Sequence, residues 1–224
     1  MQNTFPSDNG FLATASDALR ELMSSLAKRS TLKNGEVLFE QGDTGDTLYA
    51  IISGALEFSV LSSDGRKLRL DVMHDGALFG EIALFDPGPR TATVMALEPT
   101  QIWGVKRSDV LNALRKSPEL GIDMIQLAGR RMRWMGFQLS EQVFLNMPAR
   151  LARKLLHLTE NAPSADPVLK FSQAELADFV GASREAVSKT LGVWKRKGII
   201  EHSRGELQVL DTTALKKLAD FPLL

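Results

Sequence analysis

Residues Phe171 to Ile200 read FSQAELADFVGASREAVSKTLGVWKRKGII, and the punctuation of this stretch decides the architecture of the C-terminal part of the chain. Ser172-Gln-Ala-Glu175 matches a capping box, in which the serine hydroxyl takes a backbone N–H three residues on and the glutamate reaches back. A helix is therefore predicted from Gln173, with Leu176, Phe179 and Val180 as its apolar face. Gly181-Ala182-Ser183 supplies a tight turn and a new cap, after which Val187, Leu191 and Trp194 mark a second helix that stops before Gly198. Beyond it, Ile199–His202 and Leu207–Leu210, joined through Ser203-Arg204-Gly205-Glu206, read as a hairpin, and Asp211 caps a last helix. The order is helix, short turn, helix, wing.

Charge placement gives this motif its chemical sense. On the second helix Arg184, Lys189, Lys195, Arg196 and Lys197 oppose only Glu185, so its exposed face is strongly cationic. Such a face attracts phosphate, and near a helix N-terminus an arginine suits guanine and a carboxylate suits cytosine in the major groove. The plainer reading is a solvated basic helix in an ordinary helical subdomain. The tight turn, both caps and the wing together favour double-stranded DNA, with Ser172, Ser183, Arg184, Glu185, Lys189, Lys195 and Arg204 as candidate contacts.

Working outward, Asn146-Met147-Pro148 pairs a cap candidate with a residue that cannot continue a helix interior, and marks a domain boundary; Ala149–Thr159 is helical and Glu160–Pro167 a loop. Ahead of it, Pro118 opens a helix to about Leu145, roughly 40 Å long at 1.5 Å per residue. Ile125, Ala128, Met132, Met135, Leu139 and Gln142 recur at three- and four-residue spacing, the pattern of a seam for a partner helix. A core helix lying on the preceding domain is the alternative; the sustained period favours a homodimer.

Before this helix the period is that of strands: Val37–Phe39, Thr47–Ile52, Ala55–Leu61, Lys67–Val72, Arg90–Ala96 and Gln101–Val105, most of them separated by glycine-containing breaks, with a brief helix at Ser108–Leu114. Short strands with turns about every ten residues mean a sandwich, roll or barrel. Leu19, Leu22, Met23 and Leu26 within Thr14–Lys28 place an amphipathic helix in front. The fold class is thus α+β: an N-terminal β-roll over residues 1–117, a long helix over 118–145 and a winged helix-turn-helix over 146–224.

Composition limits the chemistry. With 224 residues, 44% hydrophobic and 24% charged, the chain is neither disordered nor short of core. It has no cysteine, which removes disulfides, thiolate metal sites, cysteine-ligated iron-sulfur clusters and thiol nucleophiles. No apolar run nears the roughly 18 residues of a membrane helix, and Met1–Gly10 has no basic-then-apolar leader; a cytoplasmic protein with no membrane partner is expected. Net charge is zero, yet up to Leu145 there are 15 Lys+Arg against 18 Asp+Glu, and after it 12 against 9. Halves of opposite sign suit two jobs.

Three stretches resemble the cyclic-AMP receptor protein (Crp/Fnr) family of bacterial transcription regulators. Phe171–Ile200 looks like its DNA-binding motif, Gly42-Asp-Thr-Gly-Asp-Thr-Leu-Tyr-Ala-Ile-Ile-Ser-Gly54 resembles its β-roll signature, and Gly80-Glu-Ile-Ala-Leu-Phe-Asp-Pro-Gly-Pro-Arg-Thr-Ala92 its phosphate-binding cassette. The likeness covers nearly the whole chain. Physically, Gly80 permits close backbone approach, and Glu81–Phe85, including Ile82 and Ala83, can present amide donors at a short helix start. The resemblance implies that Arg90 takes the phosphate charge, Thr91 a phosphate hydrogen bond and Glu81 the ribose hydroxyl, with Arg131 beside the glutamate. It also implies that Arg184, Glu185 and Lys189 read bases, Lys189 standing where the best-known member has arginine. Where cyclic-AMP-responsive members contact adenine through adjacent hydroxyls, this chain has Met135-Gly136, which can neither donate nor accept through a side chain.

The expected effector is a cyclic nucleotide, cyclic AMP or cyclic GMP, with no tightly bound cofactor; another effector or none, with constitutive DNA binding, stays open. RNA polymerase is an expected partner if the protein activates genes. An enzyme is not expected: the β region holds only His74, too little for a cupin metal site, and no Ser-His-Asp set, P-loop or Rossmann glycine pattern occurs. A cyclic-nucleotide module serving a kinase or channel shares the cassette but not the winged helix-turn-helix.

Overall fold

The structure is a computed structural model that describes residues 15–160, 162, 167–203 and 205–219. It divides into two compact units, one running up to Arg66 and resuming over Leu70–Trp134, the other taking Lys67–Arg69 and the chain from Met135 on. The division falls inside the long helix.

In the first unit, α1 (Asp17–Leu26) is capped by Ser16, whose hydroxyl accepts from the Leu19 amide. The buried carboxylate of Asp123 in turn accepts from the Ser16 amide at 3.2 Å and from its hydroxyl at 2.5 Å. Two four-stranded antiparallel sheets follow. One has the order β1 (Lys28–Leu32), β8 (Thr100–Lys106), β3 (Thr47–Ser53), β6 (Leu78–Phe79); the other β2 (Val37–Phe39), β7 (Thr93–Ala96), β4 (Leu56–Leu61), β5 (Lys67–Met73). Ile51, Leu56, Phe79, Val94 and Ile102 form one core cluster. Leu19, Met23, Leu48, Leu78 and Trp103 form a second with Leu120, Met124 and Leu127. Each such side chain taken out of water contributes about 1.5–3 kcal/mol.

Three features differ from the sequence expectation. Strand β1 was not foreseen: four of its five residues are exposed, so it has no alternation, and it exists through pairing with β8 far along the chain. The two-residue β6 is too short to carry a period. The strand expected over Arg90–Ala96 starts only at Thr93, because the Arg90 main chain bonds the turn ahead of β3: its amide donates to Asp43 O and its carbonyl accepts from the Gly42 amide, both at 2.8 Å. Between β6 and β7 lies the four-residue α2 (Ile82–Phe85), and α3 (Arg107–Leu114) follows β8.

Helix α4 (Pro118–Phe144) carries two apolar stripes. Leu120, Met124 and Leu127 are buried in the roll core, a stripe the seam pattern passes over. Ile125, Met132, Met135 and Leu139, the seam, are 58–74% exposed, with Ile122 and Val143 exposed beside them.

In the second unit Asn146 Oδ1 accepts from the Ala149 amide at 3.0 Å, as a cap should. Helix α5 (Met147–Glu160) begins two residues before the expected start, with Pro148 in the first turn, where no N–H is needed. Helices α6 (Gln173–Val180), α7 (Arg184–Arg196) and α8 (Thr212–Ala219) enclose Leu151, Leu155, Leu176, Phe179, Val187, Leu191, Trp194 and Leu215. The wing is β10 (Ile200–Ser203) and β11 (Glu206–Val209), one residue inward of the expected hairpin, since Ile199 closes α7 through its amide to Trp194 O and takes the Leu210 and Asp211 amides on its carbonyl. A third strand, β9 (Val168–Leu169), pairs with β11.

Candidate effector and DNA-binding sites

Arg90 is the centre of the first site. It is 6% exposed, and its guanidinium donates from Nη2 to Thr47 O at 3.1 Å and from Nη1 to Gly80 O at 3.5 Å. Its Cζ lies 4.3 Å from the ring centroid of Phe39 and 5.6 Å from that of Tyr49, which stacks on Phe79 at 5.2 Å. Two carbonyls use only part of a five-donor group, and the aromatic faces add cation–π attraction. The arginine is therefore held in place with donors left for an anion. Room for it depends on two glycines. A Cβ on Gly45 would meet Arg90 Nε at 2.3 Å; Gly80 has φ +81°, and a Cβ there would meet Thr47 O at 2.8 Å and Arg90 Nη1 at 3.0 Å.

Glu81, buried at 4% exposure, precedes α2, whose first amides, those of Ile82 and Ala83, have no intrahelical carbonyl to bond. Its Oε1 lies 2.9 Å from Arg131 Nε, and Arg131 Nη2 donates to Leu78 O at 2.9 Å. Gly80, Glu81 and Ala83 thus lie with Arg90 and Arg131 around the cassette. Ile82 presents its side chain to solvent, and Thr91 is exposed. Met135 and Gly136 are exposed on α4, one turn or more beyond Arg131, and a Cβ on Gly136 would meet nothing within 4 Å.

In the second unit the capping box is complete: Glu175 N donates to Ser172 Oγ at 3.2 Å and Ser172 N to Glu175 Oε2 at 2.8 Å. Gly181, at φ 59° and ψ 46°, makes the left-handed turn, and Ser183 Oγ accepts from Ala186 N at 3.3 Å. Helix α7 buries Val187, Leu191 and Trp194, which leaves Arg184, Glu185 and Lys189 on the exposed side. The Glu185 carboxyl is held below its ordinary pKa by its own backbone amide and the Ser183 hydroxyl, with Arg184 adding charge. It is an acceptor at neutral pH. Lys195 turns to the wing, its Nζ donating to His202 O at 2.9 Å and pairing with Glu201. Arg204 lies outside the described residues.

Comparison with known proteins gives the same two parts. The cyclic nucleotide-binding domain matches residues 29–117 and the Crp-like helix-turn-helix domain residues 149–218. A CRP-like cAMP-activated global transcriptional regulator of Mycobacterium tuberculosis is 30% identical over 190 residues, 83% of this chain and 85% of the relative. The chain belongs to the Crp/Fnr family of transcription regulators. The cyclic AMP receptor protein of Thermus thermophilus is also 30% identical, over 89% of this chain and 91% of its own. A solved Crp/Fnr-family regulator of the same organism matches with a TM-score of 0.73 at 28% identity, covering 86% of this chain and 98% of that one.

As a Crp/Fnr regulator, the chain is a DNA-binding protein of a family of transcription regulators, not of enzymes. Among the described residues no helix is long and apolar enough to cross a membrane, and no cluster of three or more metal-ligating residues occurs. Sequence reading did not single out Phe39, Tyr49, Thr47 or Gly45 at the cassette. Gly45 was visible as a turn in the β-roll signature; nothing local marks Phe39 or the two carbonyls, since the meeting is made by strand pairing.

Proposed function

We propose that the protein is a homodimeric, sequence-specific transcription regulator whose roll binds a cyclic mononucleotide and whose α7 enters the major groove. The observation that carries the effector reading is the Arg90 guanidinium, nine-tenths buried, fixed by Thr47 O and Gly80 O yet not saturated, beside the buried carboxylate of Glu81. A cation that can donate and a carboxylate that can accept fit a cyclic phosphate and a ribose hydroxyl, with Thr91 adding a hydroxyl to the phosphate. Both relatives compared above carry cyclic AMP in their names. Exposure of the seam Ile125–Leu139 supports the dimer: an apolar stripe of this length on one helix is what a partner helix covers.

For DNA, Arg184, Glu185 and Lys189 read bases, and Ser172, Ser183 and Arg204 contact phosphate. Lys195 acts by holding the wing as well as by its charge. If the protein activates genes, RNA polymerase is the partner.

Met135 and Gly136 favour a second reading for the effector's base: positions without side-chain donors or acceptors do not select adenine by hydrogen bonding, so cyclic GMP, another effector or none competes with cyclic AMP. Calorimetric titration with cyclic AMP, cyclic GMP and cyclic di-GMP, joined to mobility shifts on genomic fragments with and without each, tests both. Binding of a cyclic mononucleotide that tightens DNA binding supports the first reading; no binding at millimolar concentration with undiminished DNA affinity leaves constitutive action.

A further inference from the structure

The geometry points to Arg107 as a positioning residue for the anion subsite, an inference that rests on the cassette's being where the effector phosphate binds. Helix α2 has few bonds of its own: the Leu84 and Phe85 amides donate to Glu81 O at 3.0 and 3.1 Å, and the Asp86 amide to Ile82 O at 2.8 Å. A single turn of helix does not hold itself in water, and its last carbonyls have no intrahelical donor. Arg107, the first residue of α3, supplies one. Its Nε donates to Leu84 O at 3.0 Å.

The same residue works on the other side of the subsite. Its main-chain N–H donates to Asp46 O at 2.6 Å. Asp46 sits between Gly45, against which Arg90 Nε packs, and Thr47, whose carbonyl takes Arg90 Nη2. One residue thus ties down the loop ahead of β3, which carries Gly45 and Thr47 beside the Arg90 guanidinium, and the end of the cassette helix that follows Gly80. Nothing in the sequence of Val105-Lys106-Arg107-Ser108 indicates this, because its partners are main-chain atoms some twenty and sixty residues away.

The role separates cleanly by substitution. Arg107→Met keeps the main-chain bond to Asp46 and most of the side-chain stem, and removes only the donor to Leu84 O; Arg107→Lys restores a cationic donor of shorter reach. The measurements are hydrogen exchange of the Leu84, Phe85 and Asp86 amides in the full-length protein purified without nucleotide, and calorimetric affinity for cyclic AMP and cyclic GMP. Arg107→Met is expected to speed exchange of these amides about tenfold and to weaken nucleotide binding about five- to tenfold, with β8 amides unchanged and Arg107→Lys recovering much of both. Unchanged exchange of the α2 amides overturns the inference, and so does faster exchange with unchanged affinity. If the wild type binds neither nucleotide, the effector reading falls, and the exchange measurement alone decides whether Arg107 holds the cassette.

Discussion

Gly45 and Arg90 stand so close that a Cβ on the glycine would lie 2.3 Å from the arginine Nε. The loop before β3 closes on the guanidinium only with hydrogen in the place of a side chain. Gly45→Ala is expected to push Arg90 off Thr47 O and weaken cyclic-nucleotide binding by roughly ten- to a hundredfold, as Arg90→Ala itself would, since a charge-assisted contact is worth about 1.5–3 kcal/mol. Calorimetry on both variants checks this; wild-type affinity in Gly45→Ala would mean that the guanidinium has another position equally good for the phosphate.

The seam predicts the oligomer. Met132 is exposed at the middle of the stripe, so Met132→Glu brings like charges together across a two-fold axis in an antiparallel or parallel pairing alike. Monomers with weak DNA binding are expected at micromolar concentration, by light scattering and mobility shift. An unchanged dimer mass refutes the seam.

On α7, Arg184→Ala is expected to cost about 1–3 kcal/mol at one base pair and relax preference there. Lys197→Ala, if this lysine touches phosphate alone, is expected to weaken all sequences alike and to flatten the salt dependence. Binding-site selection on wild type and both variants separates the two effects, and should return half-sites about one helical turn apart. Full sequence preference in Arg184→Ala would require a different docking.

Glu175 predicts an acid response. Burial raises its pKa, but the bonds from the Ser172 amide and hydroxyl and the charge of Arg69 outweigh this and hold it below its ordinary value of 4.5. Arg69 Nη2 is 3.3 Å from its Oε1, and its Cζ is 4.9 Å from the Phe179 ring. A carboxyl depressed on folding gives stability that is fully present above the unfolded value and lost as the pH falls through the folded one. Thermal unfolding should therefore be steady near neutrality and weaken below pH 4.5, less steeply in Glu175→Gln, which keeps the cap but not the charge. An identical acid slope in that variant would remove Glu175 from the account.

Gly192 lies inside α7, where an added Cβ would meet Arg196 Nη1 at an ordinary 3.7 Å. Gly192→Ala should stabilise the helix by about 0.5–1 kcal/mol. A rise in Tm of a few degrees with unchanged operator affinity is expected; a fall in Tm would show that the position is packed more tightly than the contact distance indicates.

Sequence by itself determined what short-range chemistry dictates. Ser172, Glu175, Gly181 and Ser183 fix the helix-turn-helix because caps and left-handed turns act over three or four residues, and all four behave as their residue types require. The long helix was legible from its period, and the cassette from its resemblance to a family. Tertiary structure alone decided what depends on chain segments meeting from far apart. It made β1 a strand, by pairing it with β8, although its residues show no alternation. It gave α4 two stripes, of which the periodicity showed only the one left exposed; Leu120, Met124 and Leu127 became core because α1 and the roll sheet cover them. It set Phe39, Tyr49 and Thr47 O around Arg90, and Arg107 beneath the cassette. Carbonyls and ring faces recruit partners through the geometry of the sheets, and no residue type in the sequence announces which of them will stand there.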